Sequence, residues 1–284
     1  MLFATPALAH EGHDHTQPVD AATTWTFDPL VLSLLGIAAV LYARGAMRSR
    51  AARPWHVVSF GAGLLTIFIA QISPLDALSD VLFSAHMAQH ELLVLVAAPL
   101  VVMGRPLVVF LRGLPTRASD AAVRAMRRPA AVRLWRVMTG PFNVWLLHGI
   151  VLLVWHARPL YEGAIRNEAI HFLQHAMFLG TAVLFWWALV HGRYGRLGYG
   201  MAVLYVFATA AYSGALGALV TLAPRLWYPL YDARTRAVGL DPLQDQQLAG
   251  LIMWVPAGII LIIAGLAFFA AWLGAMEARH ASNG

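Results

Sequence analysis

Cysteine and lysine are both missing from this 284-residue chain. Without cysteine there is no disulfide, no thiolate metal site and no thiol redox chemistry. A metal would have to be held by histidine, methionine, carboxylate or backbone oxygen. Without lysine, all 20 basic residues are arginine, which reads as compositional bias with some liking for lipid phosphate. Charge of either sign is scarce, at 12% of residues, about half of what a soluble domain carries. Hydrophobic residues make up 60% and the mean hydropathy is +0.65. These shortages exclude a soluble domain. They indicate an all-α, polytopic membrane protein whose core is the helix bundle itself. A pI near 10.2 then reflects arginine at the membrane surface and contact with lipid, not nucleic-acid binding. No glycine-rich phosphate loop, nucleophile elbow or 20–50-residue repeat is present.

Seven apolar stretches approach the roughly 17–25 residues that a helix needs to cross a bilayer. They cover about 27–43, 56–73, 80–103, 141–157, 168–191, 198–221 and 246–274. The fourth is the shortest and starts at Gly140-Pro141, a suitable first-turn proline. Arginine is unevenly shared between the two sets of connections. Four follow the first span, eight the third, two the fifth, and Arg279 lies in the tail. Only Arg158, Arg166, Arg225, Arg234 and Arg236 fall on the other side. The positive-inside rule therefore predicts an external N-terminus and a cytoplasmic C-terminus in a bacterial inner membrane. The expected organisation is an external segment 1–26, a seven-helix membrane domain 27–275 and a cytoplasmic tail 276–284.

Residues 1–9 look like the end of a signal peptide, with a small-x-small site at Ala7-Leu8-Ala9. His10, His13 and His15 follow, fitting either a loose metal-capture tag or a flexible polar tail. Ala118–Met138 is arginine-rich with apolar residues interleaved, as in an amphipathic helix lying on the inner surface. The outer loop 222–244 carries Trp227, Tyr228 and Tyr231, an aromatic belt or a docking surface.

Ionisable residues inside apolar spans need a functional reason. His86 and His90 sit four apart in the third span, and His171 and His175 four apart in the fifth, so each pair shares one helix face. Both spans run inward. At 1.5 Å per residue, His86 and His90 lie roughly 9 and 15 Å deep, and His171 and His175 roughly 5 and 10 Å. His156 reaches the outer end of the fourth span, with His148 nearer mid-membrane. The seventh span enters from outside through Asp245, with Met253 two turns deeper, and Met87 and Met177 fall in the same outer half. The candidate metal ligands are His86, His90, His171, His175 and His156, with Met87 and Asp245. Imidazole with thioether, and no thiolate, ranks copper first. The bland alternative is histidine as interhelical hydrogen-bonding glue. His86-x-x-x-His90 is not a zinc-protease motif, because Met87 stands where that motif has its glutamate base.

Several motifs carry a family resemblance. His86-Met87-x-x-His90, Ala98-Pro99-Leu100 and Gly104-Arg105-Pro106 come first. Trp155-His156-x-x-Pro159-x-Tyr161 and His171-x-x-x-His175 leading to Phe185-Trp186-Trp187 follow. The run Asp245-Gln246-Gln247-Leu248-Ala249-Gly250 closes at Met253-Trp254. In this order, over about residues 30 to 275, they resemble the membrane-spanning CtaG family of cytochrome c oxidase assembly factors. The resemblance implies a non-enzymatic role in maturing a haem-copper oxidase, with oxidase subunits as partners and copper handled at the outer face. The residues alone also accommodate a haem-b electron-transfer protein with axial histidines from facing helices. A metal or proton transporter lined by Tyr205, Thr209, Tyr212 and Ser213 is a further reading. A homo-oligomer is left open.

Overall fold

A computed structural model describes residues 21–48, 52–191 and 198–283. The signal-like stretch 1–9, the histidines of 10–15, and Arg50, Arg193 and Arg196 of the orientation count lie outside the described residues. The described residues are helical and contain no strand. Fourteen α-helices follow one another: α1 Pro29–Met47, α2 Pro54–Ile72, α3 Pro74–Ser79, α4 Phe83–Glu91, α5 Ala98–Met103, α6 Pro106–Gly113, α7 Thr116–Met126, α8 Pro129–Met138, α9 Pro141–Trp155, α10 Arg158–Arg166, α11 Glu168–His191, α12 Tyr199–Leu222, α13 Leu230–Ala237 and α14 Pro242–Asn283. A π-helical stretch, Leu92–Ala97, joins α4 to α5.

Proline sets many of the boundaries. α1, α2, α3, α6, α8, α9 and α14 each begin on one. The first turn needs no amide donor there, and proline's φ is already helical. At α1, Asp28 adds a side-chain cap, accepting from the amides of Leu30 (2.7 Å) and Val31 (3.3 Å). Pro99 acts differently, because it sits inside the third span, where it cannot donate to the Leu95 carbonyl. The helix widens just before it, so that the amide of Ala98 reaches the carbonyl of Leu93. The Val94 carbonyl, passed over, accepts from the Trp186 indole at 2.9 Å instead.

Among the described residues six helices are long and apolar enough to cross a membrane, so the protein is a multi-pass membrane protein. They are α1, α2, the continuous run Phe83–Met103, α11, α12 and α14. The expected fourth span differs. α9 has 15 residues, about 22 Å of helix, short of the ~30 Å hydrocarbon core. It becomes a seventh span only together with α8, from which it is bent by 61°. The surface segment expected over Ala118–Met138 is also two helices, α7 and α8. Pro129 ends one and starts the other, and neither has a buried residue.

Close backbone approach replaces a hydrophobic driving force between membrane helices. α12 and α14 meet at Gly217 and Gly250, where an added Cβ on Gly250 would collide with the Thr221 side chain and the Gly217 carbonyl. The three connections that follow α2, α9 and α12 converge at one end of the bundle. The Tyr231 hydroxyl donates to the Ser79 carbonyl (2.9 Å), Thr235 to that of Val81 (2.9 Å) and Tyr228 to that of His156 (2.7 Å). At the other end the Tyr42 hydroxyl joins the carbonyls of His56 (3.1 Å) and Gly104 (2.6 Å).

Candidate metal centre

The site begins with the start of α4. The Asp245 carboxylate, from the first turn of α14, accepts from the Phe83 amide at 2.7 Å and the Ser84 amide at 3.4 Å, and also from the Ser84 hydroxyl. It supplies acceptors to the open N-terminus of a helix whose preceding residue, Leu82, cannot. That fixes His86 one turn further on. Asp245 thus works as a cap for α4, with both carboxylate oxygens already committed.

Within α4 the rings of His86 and His90 are 4.4 Å apart, and within α11 those of His171 and His175 are 4.2 Å apart. The two helices bring the pairs face to face. His86 lies 5.1 Å from His171 and 5.5 Å from His175, and His90 lies 5.0 Å from His175, between ring centroids. A ligating nitrogen from each of His86, His171 and His175 falls within 4.8 Å of the others. His86 is fully enclosed, His90 and His175 are nearly so, and His171 is half-buried, giving the cluster its more open side. His156, following the last residue of α9, stands behind, 6.3 Å from His90. The Tyr161 ring packs against His86 at 5.1 Å, and its hydroxyl is bonded to that of Tyr231.

Most of the ring nitrogens face no partner. Both nitrogens of His86 and of His90 are buried without a hydrogen bond, as is Nε2 of His156, His171 and His175. Buried polar atoms are normally satisfied, and such exceptions call for an ion or water. The partnered nitrogens sharpen the point. His156 Nδ1 lies 2.7 Å from the Leu152 carbonyl, which can only accept, so the proton sits on Nδ1 and Nε2 keeps its lone pair. His175 Nδ1 donates to Gln71 Oε1 at 2.9 Å, with the same result. This is the outer-shell arrangement that orients metal-binding imidazoles.

Other expected residues are placed differently. Met87 is fully buried and packs with Phe83, Tyr161, Tyr228 and Met253 in an apolar cluster. The Met177 thioether accepts from the Trp155 indole at 3.4 Å. His148 lies deeper and bonds Thr181 through Nδ1 at 3.0 Å. Gln71, unremarked in the sequence, turns out to be a partner of the site. The only signal it gave was a lone amide near the end of an apolar helix. Gln89 and Gln174 stand at the same place in each histidine pair. Gln89 donates to the Ala70 carbonyl (2.7 Å) and to Asp76 (2.8 Å), while Gln174 is fully buried with its amide beside His86 but outside hydrogen-bonding geometry.

The fold defines an all-helical, multi-pass membrane bundle that encloses histidines without hydrogen-bond partners. The family model described as cytochrome c oxidase caa3 assembly factor (Caa3_CtaG) matches residues 40–275, and the chain belongs to that family. Curated relatives include uncharacterised proteins of Mycobacterium bovis and Mycobacterium tuberculosis, each 27% identical over 96% of this chain and 44% of the relative. One from Mycobacterium leprae is 26% identical over the same shares. The chain thus spans less than half the length of these curated relatives. No solved structure matches it.

Proposed function

We propose that this protein binds copper among His86, His171 and His175, with His90 and His156 adjoining. It thereby assists formation of a copper centre in a haem-copper oxidase, its partner in the membrane, without catalysing a reaction itself. The observation that carries the reading is the set of three ligating nitrogens within 4.8 Å, in a pocket of buried imidazoles most of whose ring nitrogens lack a hydrogen-bond partner. An imidazole donor set in a chain with no thiolate suits copper. Membership in an oxidase assembly family supplies the recipient. The arginine distribution supports an inner-membrane protein with the site in the outer half and the C-terminus in the cytoplasm. Contact of the four rings at 4.2–5.5 Å between centroids argues against haem, which needs a slot between axial ligands wide enough for a porphyrin.

The test is copper retention by the purified full chain in detergent. His86→Ala combined with His175→Ala is expected to lose at least one equivalent of copper relative to wild type, and cells carrying it should lose oxidase activity. Unchanged stoichiometry in the double variant would overturn the assignment.

A further inference from the structure

Beneath the histidine cluster lies a cavity of ≈ 50 Å³. It is several times the space that one water needs. His90, His148, His156, Met87, Met253 and Glu91 all line it. The three histidines are at most 5% exposed. His90 offers two unpartnered nitrogens and His156 one. The Thr181 hydroxyl gives its proton to the Met177 carbonyl at 2.8 Å, so it accepts from His148 Nδ1, and His148 Nε2 keeps a lone pair. One oxygen of Glu91 is buried without a partner.

We propose that this cavity is a second cation site, deeper than the first, which takes a soft monovalent transition ion, Cu(I). Two observations point to that class, and a third joins this site to the outer one. Imidazole and thioether together select soft copper over zinc, magnesium or calcium. Glu91 is the one acid among the lining residues, and in a low-dielectric interior a buried cation needs compensating charge. By giving up one proton as the ion enters, Glu91 supplies a single negative charge, which matches a single positive charge and leaves a divalent ion uncompensated. His90 borders both compartments, 4.4 Å from His86 above and 6.3 Å from His156 beside the cavity. It makes the two sites steps of one path rather than separate stores. The inference rests on the copper reading of the outer cluster and adds a second place for the ion.

Anaerobic titration of the purified full chain with Cu(I), against a competing chelator, tests it. Wild type is expected to bind two equivalents. Glu91→Gln and Met253→Leu, both close in size to the native residue, should each retain one and weaken the other at least tenfold. His171→Ala, in the outer cluster, should also lose one while keeping the Glu91-dependent one. A wild type that binds a single equivalent, abolished by His171→Ala and indifferent to Glu91→Gln, overturns the second site and leaves the outer one standing. Two equivalents that survive both inner variants unchanged overturn it as well. No binding by the wild type removes both sites together.

Discussion

Which nitrogen of a histidine can bind an ion is decided by what holds the other one. At His156 the Leu152 carbonyl does so from within the same helix; at His175 it is Gln71, 104 residues away in sequence. Gln71→Leu should therefore leave saturating copper stoichiometry intact but lower affinity by about 10–100-fold, the usual cost of losing an outer-shell partner. Isothermal or chelator-competition titration measures it, and an unchanged affinity would make Gln71 a bystander. Asp76, outside the membrane-spanning helices, gives a pH prediction. Burial pushes its carboxyl up to about 6 from an ordinary 3.8, with Asp80 and Asp28 adding to the rise and hydrogen bonds from Thr26 and Gln89 opposing it. The fold therefore prefers the protonated form. Its stabilising contribution is complete below pH 3.8 and is lost as pH rises through 6. Asp76→Asn should flatten the pH dependence of the melting temperature between about 4 and 6; a curve that keeps its slope would assign that dependence elsewhere. The histidine pairs were legible because spacing of four is local. Gln71 and Asp76 were not, since their importance arises from helices that meet only on folding.

Helix boundaries were the next most legible feature, because proline marks so many of them. The 15-residue α9 already looked short, and its continuation through a 61° bend into α8 could not be read from hydropathy. Asp245 is the clearest case of a residue placed at the right depth for a different task. Apolar depth suggested a ligand, whereas its oxygens cap α4 across 162 residues of sequence. The packing of α12 on α14 at Gly217 and Gly250 gives the test at this scale. Gly250→Ala forces a methyl group against the Gly217 carbonyl and the Thr221 side chain. Overpacking of this kind costs roughly 1–3 kcal/mol, so the thermal midpoint in detergent should fall by several degrees. A midpoint equal to wild type would mean that the two helices are free to separate without loss. Copper affinity should fall with it, since α14 carries the cap that positions His86.

For the molecule as a whole, arginine asymmetry and the convergence of three connections at one end carry the proposed orientation. The absence of native cysteine makes it directly measurable. Arg225 and Arg124 are both exposed, in connections assigned to opposite sides. Arg225→Cys should react with a membrane-impermeant maleimide in intact cells, and Arg124→Cys only after permeabilisation. The reverse pattern would put the histidine cluster in the inner half and detach it from an outer-face role. That the molecule is a multi-pass helix bundle was readable from hydropathy. The meeting of the two histidine pairs was suggested by similar depth, and it took the packing of α11 against the continuation of the third span, Leu92–Met103, to bring the rings within 5.5 Å. The most direct test of copper held by these histidines is X-ray absorption at the copper edge of the copper-loaded full chain. The account predicts nitrogen as copper's nearest neighbour, with the longer-range scattering of an imidazole ring, sharply reduced in the His86→Ala, His175→Ala double variant. Copper bound without imidazole scattering, or the same spectrum in both proteins, would contradict it.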